Sequence, residues 1–153
     1  MAQAKSRIVR YGLVLAVLVL AGGAFVSFGP PQLLARTETP EFCASCHVME
    51  SQYEDWFHEG AHRRKLCVEC HLPHDSVGQY YFWKSVDGMK DVAVFNSGRV
   101  PETIRISAHG QTVVRGNCVR CHEALVEMID TERNCWECHR RVSHIRSGAI
   151  ETN

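Results

Sequence analysis

The chain has 153 residues, with 17 basic and 17 acidic side chains, 9 histidines and no net charge at pH 7. This length fits one domain with an appended segment better than two full domains. The balanced charge excludes a nucleic-acid-binding protein that depends on a basic surface. Cysteine is the unusual component, because all 8 cysteines occur in Cys-x-x-Cys pairs.

The first predicted element is an uncharged apolar segment at residues 11–28, YGLVLAVLVLAGGAFVSF. At about 1.5 Å per residue, a helix of this length spans about 27 Å, close to the hydrocarbon thickness of a bilayer. A cleaved signal peptide is the alternative. However, the segment is longer than the usual apolar core of a signal peptide, and no clear small-x-small cleavage site follows it. We therefore predict one uncleaved transmembrane helix.

The basic residues Lys5, Arg7 and Arg10 precede this segment, with no acidic residue among them. Because basic residues stay on the cytoplasmic side of a membrane helix, residues 1–10 are predicted to be cytoplasmic. The predicted location is the cytoplasmic membrane, crossed once, with residues 29–153 forming a periplasmic domain.

Each Cys-x-x-Cys pair is followed directly by a histidine. Two thiols at this spacing can form thioether bonds to the two vinyl groups of one haem, and the next histidine then lies under the ring, where it can bind iron. Each motif therefore predicts one covalently bound haem c, and motifs and haems are numbered 1 to 4 in chain order. The motifs are Cys43-Ala-Ser-Cys46-His47, Cys67-Val-Glu-Cys70-His71, Cys118-Val-Arg-Cys121-His122 and Cys135-Trp-Glu-Cys138-His139.

Other uses of these cysteines explain the pattern less well. Structural zinc sites or disulfides would also consume them, but neither requires a histidine directly after every second cysteine. The segment from His58 to His62 also matches the His-Glu-x-x-His pattern of zinc proteases. Gly60 weakens the regular helix that such a site needs. We therefore favour a tetrahaem cytochrome c.

The predicted fold class is mainly α with little regular secondary structure, with the transmembrane helix followed by a multihaem c domain. Short helices are expected at residues 49–62 and 122–133. The connector between motifs 2 and 3, residues 72–117, is expected to be helical around Gly78 and Gly88. The outer part has few Leu and Ile side chains for its size. We therefore expect the domain to pack around its four haems.

A six-coordinate haem iron needs a second axial ligand. A distal histidine rarely serves the haem next to it in sequence, because the chain would have to wrap around the ring. His62 and His144 are therefore expected to reach haems of other motifs, and a solvated side chain is the alternative for each histidine. The histidines outside the motifs are His58, His62, His74, His109 and His144.

Met49 lies two residues after His47 of motif 1. Thioether sulfur is a haem ligand that raises the reduction potential. Met49 is therefore either a core residue or an iron ligand that displaces His47 and leaves the other face of the iron open.

The sequence resembles the NapC/NirT family of tetrahaem quinol dehydrogenases, and most closely its small subunits of cytochrome c nitrite reductases. The resemblance covers nearly the whole chain, including the short basic start, the single anchor and the four motifs. Three local patterns add to it: Cys-x-x-Cys-His-x-Met at 43–49, Cys-Val-Glu-Cys-His-Leu-Pro-His at 67–74, and Cys-His-Arg-Arg-Val-Ser-His at 138–144.

The resemblance implies a ligand for each iron. Met49, rather than His47, would bind the iron of haem 1 near the membrane and leave it five-coordinate. One further haem would take its distal ligand from a lysine of the catalytic subunit, with His109 or His74 as alternatives within this chain. The implied proximal ligands of haems 2 to 4 are His71, His122 and His139, and the implied distal ligands are His62 and His144.

The resemblance also implies that Lys84 and Asp91 flank a quinol pocket beside haem 1. They are seven residues apart, so on a helix they share one face, and Asp87 between them is a further candidate. The aromatic residues at 80–83 precede them and are typical of a membrane interface. The alternative is an amphipathic interfacial helix whose charges are solvated.

The resulting hypothesis is a menaquinol dehydrogenase that takes two electrons and two protons from menaquinol. Asp91 would accept a proton, and Lys84 would donate a hydrogen bond to the quinol oxygen. The electrons would pass through the haems to the catalytic subunit of a multihaem, ammonia-forming nitrite reductase in a hetero-oligomer. That subunit would dock near the basic residues Arg140, Arg141 and Arg146.

Three other functions remain open at this stage. The first is an electron hub of the same family that serves several periplasmic reductases. The second is a membrane-tethered cytochrome without a quinol site. The third is a reductase that acts by itself on nitrite or hydroxylamine, although no lysine occurs in any haem-binding motif.

Overall fold

The computed structural model describes residues 2–29, 32–59, 61–129, 132–142 and 144, apart from the side chains of residues 2–5 and 59. These residues form helices and turns, with no strand among them. The prediction of a mainly α fold is therefore confirmed. The chain divides into two compact units, Met1–Thr39 and Pro40–Asn153.

The first unit contains the long helix α1 (Ala2–Phe28) and the short helix α2 (Leu33–Arg36). Helix α1 begins well before the predicted apolar segment, because the Ala, Gln and Lys residues that precede it also favour helix. Its stretch Ser6–Phe28 is long and apolar enough to cross a membrane, and none of that stretch is buried within the protein. Among the described residues it is the one helix with this property, and it has the form of a single-pass anchor.

The second unit carries all four haem-binding motifs on short helices and on the end of one long helix. Motif 2 coincides with a single helix, whereas motif 3 lies in the second half of a longer one. The helices are α3 (Pro40–Ala44), α4 (Glu50–Glu59), α5 (Cys67–His71), α6 (Val77–Asn96) and α7 (Ala108–Val126), with 3₁₀ turns at His47–Met49, Cys135–Glu137 and Arg140–Val142.

Serine residues begin the two longest helices of this unit. Ser76 Oγ accepts a hydrogen bond from the backbone N–H of Gln79 at 3.2 Å, and Ser107 Oγ accepts one from Gly110 at 3.1 Å. Such caps satisfy N–H groups that lack a partner in the first helical turn. Helix α6 ends before Gly98, whose φ of 66° lies in the left-handed region that terminates many helices.

The predicted helix at 122–133 is wrong in its position. The chain is already helical from Ala108, departs from helical geometry at His122 (φ −116°, ψ 18°), and α7 ends at Val126. Met128 and Ile129, which fall within the predicted helix, lie beyond the end of α7 and are exposed. The glycines and β-branched residues between 108 and 117 have poor helix propensity, so tertiary packing rather than propensity stabilises this part of α7. The prediction of a helix at 49–62 was close, because α4 spans Glu50–Glu59.

Very little apolar side-chain surface is buried. Leu72, Pro40 and Pro73 are the buried apolar side chains among the described residues, and Asp55 and Asn117 are the buried polar ones. Folded domains normally bury many Ile, Val, Leu and Phe side chains. The second unit is therefore organised around its motifs rather than around a core of aliphatic side chains.

Candidate haem centres

All eight cysteines are unpaired, so the disulfide alternative is not found and every thiol remains available for a thioether bond. Thiols of successive motifs lie close to each other. A hydrogen bond with Cys67 lowers the pKa of the Cys43 thiol to about 7, and the same bond raises the pKa of Cys67. Burial first, and then its neighbour Cys135, raise the pKa of Cys118 to about 12. Motif 1 therefore meets motif 2, and motif 3 meets motif 4.

Motifs 2 and 3 are joined by a denser set of contacts. The amide of Asn117, on α7, donates hydrogen bonds to the backbone oxygens of Cys70 at 2.9 Å and Leu72 at 2.8 Å. Arg120 donates to the backbone oxygen of Glu69 at 3.2 Å, and its guanidinium lies 3.5 Å from the Glu69 carboxylate. Arg120 Nε also donates to Asn117 Oδ1 at 3.2 Å.

Two of the motif histidines face histidines from distant parts of the chain. The ring centres of His71 and His144 are 6.2 Å apart, with an angle of 26° between the ring planes. Those of His62 and His122 are 5.9 Å apart, with an interplanar angle of 85°. Both pairs cross between motifs, since His144 follows motif 4 and His62 precedes motif 2.

These separations match the requirements of one metal ion between two imidazoles. A metal–imidazole bond is about 2 Å long and the ring centre lies about 1 Å beyond the nitrogen, so the two ring centres are about 6 Å apart. His71 with His144, and His62 with His122, therefore fit two bis-histidine haem irons.

The environment of the first pair favours neutral imidazoles. Loss of hydration lowers the pKa of His71, and the nearby His144 lowers it further. Loss of hydration also lowers the pKa of His144, and the charge of Asp55 opposes that change. A neutral imidazole is the form that binds a metal.

The other three candidate distal histidines have different partners. His58 Nε2 lies 3.0 Å from the carboxylate of Glu54. His74 Nε2 lies 3.2 Å from the backbone oxygen of Val68, within motif 2. His109 stacks on Trp83 of α6, with ring centres 3.7 Å apart.

Motif 1 differs from motifs 2 and 3. His47 is exposed and packs edge-on against Phe95 at the end of α6, with ring centres 5.5 Å apart, whereas Met49 is half-buried. The N–H of Met49 donates to the backbone oxygen of Cys46 at 2.8 Å, which closes the turn that carries both side chains. The C-terminal end of α6 is thus next to motif 1.

The charged residues of α6 lie on one continuous helix, so Lys84 and Asp91 share a face. Lys84 is half-buried and its ammonium lies 5.9 Å from the ring centre of Tyr81. Lys90 contacts the carboxylates of Asp87 at 3.3 Å and Asp91 at 3.7 Å. Loss of hydration raises the pKa of Asp91 although the side chain is 74% exposed, and Lys90 opposes that shift.

Comparison with known proteins identifies the family. Residues 4–141 match the profile of the NapC/NirT cytochrome c family, N-terminal region. The chain belongs to the NapC/NirT cytochrome c family. It is 35% identical to the cytochrome c-type protein NrfH of Wolinella succinogenes over 147 residues, which covers 85% of this chain and 83% of that protein.

Two further similarities extend over almost the whole chain. The cytochrome c nitrite reductase subunit NrfH of Nitratidesulfovibrio vulgaris is 31% identical, with 97% of this chain and 90% of that protein covered. The crystal structure of a cytochrome c nitrite reductase NrfHA complex bound to the HQNO inhibitor contains a chain of similar fold. The TM-score is 0.69 at 28% identity, and 94% of each chain is covered.

Family membership bears directly on the cofactor. A NapC/NirT cytochrome c holds its haem covalently through Cys-x-x-Cys-His motifs, so the prediction of covalently bound haem c is confirmed. The eight unpaired thiols and the two crossed histidine pairs fit that group.

Sequence reasoning missed several residues of this NapC/NirT site. Asn117 was not predicted to contact another motif, although it directly precedes motif 3. The charges of Glu69 and Arg120 occupy the same position in motifs 2 and 3, and this complementarity was a usable signal. The contact of Phe95 with His47 had no signal in the sequence. Of the predicted docking residues, Arg140 and Arg141 lie in a 3₁₀ turn, and Arg146 lies outside the described residues.

Proposed function

We propose that this NapC/NirT cytochrome is a menaquinol dehydrogenase. It would pass electrons to the catalytic subunit of an ammonia-forming cytochrome c nitrite reductase. The observation that carries the proposal is the similarity to NrfH, and to a chain of the NrfHA complex, over nearly the full length of both proteins.

The anchor supports an assignment to the cytoplasmic membrane. Helix α1 carries the basic residues Lys5, Arg7 and Arg10 before its apolar part. Because such residues remain in the cytoplasm, the haem-binding unit would lie in the periplasm.

The residues that would hold the haems follow from the geometry and the resemblance together. The two cysteines of each motif would form the thioether bonds. His71 with His144, and His122 with His62, would bind the irons of haems 2 and 3. Met49 would bind the iron of haem 1, and His139 would be the proximal ligand of haem 4. When bound, these groups supply one-electron carriers between the quinol and the partner protein.

The distal ligand of haem 4 would come from the partner. His109 stacks on Trp83, and His74 lies against the backbone of motif 2, so both alternatives within this chain already have other contacts. A lysine of the catalytic subunit, as the resemblance implies, would then complete this iron. This proposal also gives a reason for a stable hetero-oligomer.

Quinol oxidation would take place beside motif 1. Menaquinol loses two electrons and two protons to become menaquinone, and the electrons end on the nitrite reductase. Asp91 would accept a proton, and Lys84 would hold the quinol oxygen by a hydrogen bond. Two observations support this assignment: α6 reaches motif 1 through the contact between Phe95 and His47, and the pKa of Asp91 is raised.

The test uses the purified full-length protein in liposomes with a reduced menaquinone analogue. We expect its haem absorption bands to show reduction, HQNO to inhibit that reduction, and nitrite consumption to begin when the cognate nitrite reductase is added. Nitrite turnover by the chain alone with an artificial donor would contradict the proposal and favour an independent reductase. Haem reduction without transfer to nitrite reductase, but with transfer to another periplasmic reductase, would favour the hub.

A further inference from the structure

The contact between α5 and α7 has no role in the function proposed so far. Helix α5 is five residues long and consists of motif 2. In so short a helix, the last carbonyl groups have no partner within the helix and must find one elsewhere. The oxygens of Glu69 and Cys70 in α5, and that of Leu72 directly after it, accept hydrogen bonds from two side chains of α7, Asn117 and Arg120.

The position of Asn117 makes this contact more than a surface interaction. Its side chain is 7% exposed, and Leu72, whose oxygen it binds, is 7% exposed as well. A buried amide that lost these partners would keep its desolvation cost without compensation. Asn117 directly precedes Cys118, and its partner Cys70 is itself a haem attachment residue. The hydrogen bonds therefore connect the attachment points of haems 2 and 3.

Arg120 adds an ionic contact at the same place. Its guanidinium lies 3.5 Å from the Glu69 carboxylate, with the two side chains 41% and 38% exposed. It also donates to Asn117 Oδ1, which fixes the orientation of the amide so that its N–H groups point to α5. The positive charge of motif 3 thus balances the negative charge of motif 2.

We propose that Asn117 and Arg120 are positioning residues that clamp motif 2 onto the helix that carries motif 3, so that the two middle haems keep a fixed spacing and a balanced local charge. The proposal rests on the haem assignment made above, but it does not depend on the identity of the electron donor or of the partner. Neither residue contacts an iron ligand through its own side chain in this scheme.

The first test is the Asn117→Asp variant of the full-length tetrahaem protein. The carboxylate keeps an acceptor for Arg120 but has no N–H to donate to α5. Loss of one of the two Asn117 hydrogen bonds should raise the population of the state in which α5 is detached from α7 by about fivefold, and loss of both by about 25-fold. We expect amide hydrogen exchange in α5 to become faster by that factor. Asn96→Asp is the matched control, because Asn96 is exposed and its amide donates within α6.

The second test does not require Asn117 to be replaced and uses the exposed charge pair. Arg120→Gln leaves Glu69 unbalanced, so we expect one of the two middle haems to titrate at a lower potential, since a negative environment favours the oxidised iron. Glu69→Gln should shift a middle haem in the opposite direction. The double variant should return the potential towards the wild-type value while the hydrogen exchange of α5 remains faster.

These measurements separate the clamp from the proposed function. Redox titration with chemical mediators needs neither menaquinol nor nitrite reductase, and a haem count on the wild type checks the cofactor directly. Unchanged α5 exchange in Asn117→Asp, or an exchange rate equal to that of the Asn96→Asp control, would overturn the clamp. If Arg120→Gln, Glu69→Gln and the double variant all kept the wild-type haem potentials, Arg120 would have no role in balancing the charge of the middle motifs.

Discussion

The first haem-binding motif and the two middle motifs differ in what their histidines contact. His71 and His122 each face a second histidine from a distant part of the chain, whereas His47 packs against Phe95 of α6. The middle motifs are also joined by the Asn117 and Arg120 contacts. The middle motifs are thus in contact with each other, while motif 1 is next to a helix that carries ionisable side chains. Under the proposed function, electron transfer through the middle haems and contact with the quinol would therefore belong to different parts of one unit.

The largest expected effect comes from removing a whole motif. Cys67→Ser with Cys70→Ser should remove haem 2 and also disturb haem 3, because α5 contacts the helix of motif 3 through Asn117. Cys43→Ser with Cys46→Ser should remove haem 1 and leave the spectra of the bis-histidine haems unchanged. Haem content and low-spin EPR signals measure both variants. Equal damage to haem 3 in the two variants would show that the middle motifs are not a separate unit.

The next effect concerns motif 1 alone. Asp91→Asn should lower the rate of menaquinol-analogue oxidation by about 100-fold, because a positioned proton acceptor contributes at least that factor. The haem content and the low-spin signals of the bis-histidine haems should not change. Asp87→Asn is the matched control on the same helix, since Asp87 also contacts Lys90. A larger loss in the Asp87 variant would transfer the role of proton acceptor to Asp87.

A smaller effect is expected at one iron of the middle pair. His144→Ala should convert one low-spin haem to a high-spin form, because His71 would lose the ring that faces it. His109→Ala should leave the low-spin count unchanged, since His109 stacks on Trp83. EPR and magnetic circular dichroism of the oxidised proteins measure the difference. A new high-spin haem in the His109 variant would instead make His109 a distal ligand.

The smallest effect is a displacement of the pH profile. Asp91 must be ionised to accept a proton, so the oxidation rate should rise with pH as its carboxyl loses the proton. Because its pKa is raised, this rise should occur at a higher pH than for an ordinary aspartate. The rate of Asp91→Asn should lack this rise. A wild-type profile that coincides with that of the variant would exclude Asp91 as the titrating group.

Local features of this protein were predictable because they depend on neighbouring residues. The apolar segment in α1 and the four attachment motifs each require a short stretch of sequence, and both were recognised from it. The crossed reach of His62 and His144 was also expected, from the argument that a distal histidine serves a haem of another motif. The start of α7 was missed, because glycines and β-branched residues obscure a helix that packing stabilises.

The sequence by itself determined the anchor and the haem attachment sites, because thioether chemistry depends on two cysteines and a histidine at fixed local spacing. The tertiary structure decided which histidine faces which, that His109 lies on Trp83, and that Asn117 and Arg120 hold motif 2 against motif 3. These contacts join residues far apart in the chain. Their geometry depends on how the helices pack, and local sequence does not encode it.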